Sequence, residues 1–129
     1  MFVKLKTLIL CGALAWFPVV VSAHEMTPTY PKLEPSHIEG LYVTTMAMFN
    51  KREDVEYYEI GVFDEEFNPI PFVTSYSVIQ LKYLQKVTFD LYIRRDDRDN
   101  VEYICSRSKI RKQDVTRTAV NSRICSRIK

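Results

Sequence analysis

The residues whose types and spacing could do chemistry are few. They are two late cysteines, two histidines and two acidic runs. Cys105 and Cys125 occupy the same tetrapeptide, Ile-Cys-Ser-Arg, at 104–107 and at 124–127. If both segments are strands, Cys and Arg share one face and Ile takes the other. Two such strands side by side would set cysteine against cysteine, which points to a structural disulfide. A redox-active pair or a metal pair is the alternative, but there is no CxxC and no histidine near either cysteine. No GxSxG, HExxH, P-loop, GxGxxG or EF-hand spacing is present. A Ser-His-Asp triad would need His24 or His37, and both lie in a proline-rich stretch with no supporting motif. The runs Asp64-Glu65-Glu66 and Asp96-Asp97-Arg98-Asp99 lack the glycine and ligand spacing of a calcium loop, and Arg95 and Arg98 intrude. They read as solvated turns. No catalytic residue, metal site or cofactor is therefore assigned, and a non-enzymatic role is expected. One metal chemistry stands as an alternative. Cleavage before His24 would put an α-amine and an imidazole on one residue, a pair that chelates copper(II), with His37 as a third nitrogen.

The elements that must position these residues are mostly extended. Val87–Arg94 alternates strictly, with Val87, Phe89, Leu91 and Ile93 on one face. Val55–Asp64 places Tyr58, Ile60 and Val62 together in the same way. Leu41–Asn50 is rich in aromatic, β-branched and Met residues. Phe72–Ser75, Tyr76–Leu84, Val101–Arg107 and Val115–Ile128 are further extended segments. His24–Pro35, with Pro28, Pro31 and Pro35, reads as an arm or edge strand. Turns fall at Lys51–Asp54, at Asp64–Pro71 with Asn68-Pro69 as its corner, and at Arg95–Asn100. Lys109–Asp114 is a basic connector, and Gln113–Ser122 is the one stretch where a short helix would fit. About seven strands with turns every 8–12 residues predict an all-β fold, an antiparallel immunoglobulin-like β-sandwich.

The start of the chain is an address. Lys4 and Lys6 precede an apolar run from Leu8 to Val21, which ends at Val21-Ser22-Ala23. That is the form of a secretory signal peptide cut after Ala23. The run is shorter than the ~20 residues of a membrane span, and Pro18 interrupts it. We therefore expect a signal peptide at 1–23 and a single domain at 24–129. The product is periplasmic or secreted, without a stable membrane span. In an oxidising compartment, pairing of the remaining cysteines is favoured.

The whole chain of 129 residues carries 18 Lys+Arg against 16 Asp+Glu, with 47% hydrophobic residues. This is globular composition. Charge is nonetheless segregated. Residues 107–129 hold Arg107, Lys109, Arg111, Lys112, Arg117, Arg123, Arg127 and Lys129 against the single acid Asp114. The basic tail could lie over acidic loops such as Asp64–Glu66 and Asp96–Asp99, or face an anionic partner. Nucleic acid is not expected, because no aromatic residue is interleaved with these cations.

The run MAMFNKREDVEYYEIGVFDEEFNPIPFVTS (46–75) resembles the N-terminal domain of periplasmic pilus-assembly chaperones. VTFDLYIR (87–94) is similar to the strand that follows there, and TAVNSRICSRIK (118–129) to that family's last strand. The resemblance implies an Ig-like sandwich that donates its last strand to a protein subunit by strand addition. It also implies a basic residue that holds the subunit's terminal carboxylate. Arg123 matches that role, with Lys32 on the first strand as a companion and Arg127 farther along the last strand. The chain departs from the family pattern in its last strand, whose apolar residues are only Val120, Ile124 and Ile128, and in the cysteine pair. It is also similar to small exported proteins of marine tailed phages, a likeness that implies export alone.

The function expected from sequence is an exported, chaperone-like, protein-binding module with an exposed strand edge and a basic last strand. A structural component of a virion or cell surface is the alternative, and a periplasmic copper carrier the second. Intact mass and N-terminal sequencing of the exported protein should give a chain that begins at His24 and weighs two hydrogens less than the reduced form. A chain that begins at Met1, or two free thiols, would contradict this.

Overall fold

The computed structural model describes residues 24–109 and 121–128. The signal peptide expected at 1–23 lies outside the described residues. So do Ile110–Val120, which hold most of the basic connector, of the stretch where a helix would fit, and the first part of the expected last strand, and so does Lys129.

In chain order the strands are β1 (Glu25–Thr27), β2 (Glu34–Pro35), β3 (Leu41–Phe49), β4 (Tyr57–Phe63), β5 (Val73–Thr74), β6 (Val78–Gln80), β7 (Lys86–Arg94), β8 (Tyr103–Lys109) and β9 (Arg123–Arg127). All pairings among them are antiparallel. One sheet has the order β1-β3-β7-β5, with β2 pairing farther along β3; the other has the order β6-β4-β8-β9. The described residues thus form nine strands where about seven were expected. The N-terminal arm divides into two, because Pro28 and Pro31 interrupt the ladder between β1 and β2.

Period-two alternation explains which sheet faces meet. Met46 and Met48 of β3 and Phe89, Leu91 and Ile93 of β7 are buried from one side. Tyr58, Ile60 and Val62 of β4 and Ile104 of β8 are buried from the other. Each such side chain contributes about 1.5–3 kcal/mol on burial. Ile79, Leu81, Val101 and Leu33 belong to the same core. The alternation read in 55–64 and 87–94 is the one observed, with Val87 half-buried at the margin.

The turns use local chemistry. Asp64 Oδ1 accepts from the N–H groups of both Glu66 and Asn68, so the 64–68 turn is organised by its first residue and not by an Asn-Pro corner. Arg95–Asn100, expected as a solvated turn, winds into a 3-10 helix with no buried residue, and Arg94 bonds Asp97 across its start.

Cys105 and Cys125 are register partners on β8 and β9 and form a disulfide, with Cα atoms 4.1 Å apart. Flanking bonds from Ser108 N–H to the Ser122 carbonyl and from Ile128 N–H to the Glu102 carbonyl set the ladder phase. In that phase the cysteines form a non-hydrogen-bonded pair, the site where strands approach most closely. The bond lies on the outer face of the second sheet, with Arg107 and Arg123 beside it. It closes a separation of 20 residues, a loop worth about 3 kcal/mol. Urea denaturation of the Cys105→Ser, Cys125→Ser double variant should show a loss of that order. A midpoint equal to that of the oxidised wild type would contradict it.

Candidate functional site: the edge of the last strand

β9 is an outermost strand. Its inward side chains are Ile124 and Ser126, and its outward ones are Arg123, Cys125 and Arg127. The ladder phase turns the backbone N–H and C=O groups of Ile124 and Ser126 toward β8. Those of Arg123, Cys125 and Arg127 point away from the sheet. Among the described residues that outer edge carries one backbone hydrogen bond, from Arg127 N–H to the Thr29 carbonyl at 3.0 Å. Among those residues the outward backbone groups of Arg123 and Cys125 make no hydrogen bond, although β1 runs beside β9, so they remain a short template for another strand.

The cations around this edge are unevenly matched. Arg107 and Arg123 are cross-strand partners. Arg107 bonds Glu59 at 3.1 Å, and Lys109 bonds the same carboxylate at 2.7 Å. Lys109 first, with help from Arg107, holds the Glu59 carboxyl below its ordinary range. Arg127 bonds Glu102 at 2.6 Å. Arg123 has no carboxylate partner among the described residues, and its guanidinium lies 5.0 Å from the centre of the Phe67 ring. Phe67 in turn stacks on Tyr103 with ring centres 4.6 Å apart.

Lys32 does not join Arg123. The Thr29–Arg127 bond, and the cleft wall that Leu33 shares with Ile128, put the Lys32 segment at the far end of β9. The three basic residues expected to act together therefore divide. Arg123 stands at the start of the strand, and Arg127 and Lys32 lie at or near its end. The missed signal is direction. The arm runs alongside β9 in the same sense, so residues late in the arm meet the strand's end.

Behind the edge lies a polar cluster that sequence reasoning did not find. His24 is only 1% exposed. Its Nε2 and Ser106 Oγ are hydrogen-bonded at 2.7 Å, its Nδ1 and Ser122 Oγ are 3.3 Å apart, and its ring rests 4.4 Å from that of Tyr58. Tyr58 donates to Asn50 Oδ1 at 2.6 Å. Fully buried Asn50 also accepts from Arg52 N–H and donates to the Val55 and Leu81 carbonyls. Arg52 pairs with Asp54 and reaches Ser122 Oγ at 3.3 Å. Each buried polar atom here is satisfied, which such a network requires if it is to stabilise.

This geometry gives the copper reading no support. Both ring nitrogens of His24 are turned to serine hydroxyls inside the fold, and His37 sits in an exposed turn. No group of three or more His, Cys, Asp or Glu side chains is arranged for a metal among the described residues. The acidic runs do converge. Asp64, Glu65, Glu66, Asp97 and Asp99 line one open cleft with Glu102, and Arg127 is the tail cation that reaches its margin.

No protein-family model matches the chain, and no curated protein matches it by sequence. Among solved structures it is similar to the E. coli chaperone DraB, with a TM-score of 0.60 at 14% identity, over 82% of this chain and 53% of that one. The chain thus spans about half the length of that chaperone. The fold is an Ig-like β-sandwich similar to that of this chaperone, as the sequence resemblance implied.

Burial lowers the pKa of His24 to about 4. The Ser106 hydrogen bond opposes the shift, and the Arg52 cation adds to it. A folded-state pKa below the unfolded value means that the unfolded chain binds the proton first. Stability is then complete above about pH 6.5 and declines as the pH falls toward 4. Urea unfolding should show a loss of roughly 2 kcal/mol between pH 7 and 5. His24→Gln should flatten that window. An equal slope in the variant would assign it elsewhere.

Proposed function

We propose that this protein is an exported, non-enzymatic holding module that binds a protein partner by strand addition at the outer edge of β9. The observation that carries this reading is that the outward backbone groups of Arg123 and Cys125 have no backbone hydrogen bond among the described residues. A strand laid there would pair its backbone with groups that already point outward, and it would extend the second sheet by one member. The likeness in fold to a chaperone supports a holding role.

The design of the edge supports it too. β9 is stapled to β8 by the disulfide, so the acceptor strand is held in register before any partner arrives. Preorganisation of this kind lowers the ordering cost of association. On the inner side, half-buried Ile124 and Ile128 pack against the core and offer an apolar margin to an incoming strand. At the far end of the strand Arg127 is already paired with Glu102, so the cation left for a partner's acidic group is Arg123.

Replacement of Arg123 by proline removes an outward N–H without touching the β8 ladder. Co-purification of the partner from expressing cells should fall at least tenfold in Arg123→Pro, while Asp96→Ala, on the exposed 3-10 helix, retains it. Circular dichroism and the thermal midpoint check that the proline variant is folded. Full recovery by folded Arg123→Pro would overturn strand addition at this edge.

A further inference from the structure

Among the described residues, the charge at the start of β9 is only partly compensated. Antiparallel register sets Arg107 directly beside Arg123 on the outer face. Like charges opposite one another on a sheet destabilise it. Among the described residues one carboxylate serves this spot, Glu59, and it is already shared by Arg107 and Lys109. Arg123 is exposed, rests on the face of Phe67 and has no carboxylate partner among the described residues. A cation on an aromatic face still has the edge N–H groups of its guanidinium free to donate.

Position decides what would meet it. Arg123 is the residue whose outward backbone groups would pair with an added strand, so the residue opposite it would project its side chain over the same outer face. A side chain of negative charge there would lie beside Arg123 and near Arg107. The next residue of the added strand would turn inward toward Ile124. Resting on the strand-addition reading above, we infer that the partner strand at this edge carries an Asp or Glu side chain opposite Arg123, flanked by apolar residues on the inner side. The recognised group is an internal acidic side chain.

The same residues argue against a second copy as the occupant. Two β9 edges paired antiparallel about Cys125 would put each Arg123 against an Arg127 of the other copy. The arrangement of arginines on either side of the cysteine thus discourages self-pairing, as charged residues on edge strands commonly do.

The test uses three ten-residue peptides, amidated at the C-terminus, in which valine alternates with glutamate, glutamine or lysine. Binding is read by fluorescence anisotropy, and engagement of the edge by slowed exchange of the Arg123 and Cys125 amides. The glutamate peptide should bind at least fivefold tighter than the lysine peptide. Arg123→Gln should bring the two within twofold, and a free C-terminal carboxylate should change the affinity less than twofold. Equal binding of the glutamate and lysine peptides, with the amides protected, would overturn the acidic preference and leave strand addition standing. So would a glutamate preference that survives in Arg123→Gln. Protection of neither amide by any peptide would overturn strand addition, and this inference with it. Dimerisation of the wild type through these amides would also overturn it, by assigning the edge to a second copy.

Discussion

A strand at the border of a sheet has its hydrogen-bonding groups satisfied on one side only, and the rest of this molecule is arranged around that constraint at β9. The ladder to β8 accounts for Ile124 and Ser126, and Thr29 accounts for the N–H of Arg127. Folded proteins usually blunt such an edge, and they do so with charge, with cover or with a very short strand. Here all three devices are present in part. The strand has five residues, the arm covers one end, and an arginine stands at each terminus. What remains between Arg123 and Cys125 is short, fixed in place and electropositive.

Two features hold the edge rigid. From outside, the disulfide ties β9 to β8 at the point of closest approach. From inside, His24 reaches hydroxyls on β8 and on the residue before β9, so the N-terminal arm is bolted to the second sheet although β1 itself pairs with the first. The Asn50–Tyr58–Arg52 cluster continues that tie into β3 and β4. Removal of one member would leave a buried partner unsatisfied, which costs more than the hydrogen bond itself contributes. Disulfide and cluster act on opposite faces of the same strand, and together they present its border as a stable surface.

The sheets were legible in the sequence where alternation was strict. In 87–94 and at Tyr58, Ile60 and Val62 each second residue is apolar, and period two allows only one face to be buried. The cysteine pairing was legible because the two Ile-Cys-Ser-Arg segments, as strands, put sulfur on the same face. The repeat also misleads. It is a translation in sequence, whereas antiparallel pairing reverses one copy, so Arg107 meets Arg123 and not its counterpart Arg127. The His24 cluster was not legible at all. Its contacts span 82 and 98 residues, and a histidine among prolines has no local pattern that predicts a buried place. The place of Lys32 along β9 was not legible for a related reason, since composition marks an arm as extended but says nothing of the direction in which it runs along its neighbour.

The central claim is that β9 is satisfied on one side and open on the other, and amide hydrogen exchange of the free protein tests it residue by residue. Protection should alternate, with Ile124 and Ser126 slow, Arg127 slowed by Thr29, and Arg123 and Cys125 fast. Uniform protection from Arg123 to Arg127 would mean that the border is already covered, and the account built on it would fail.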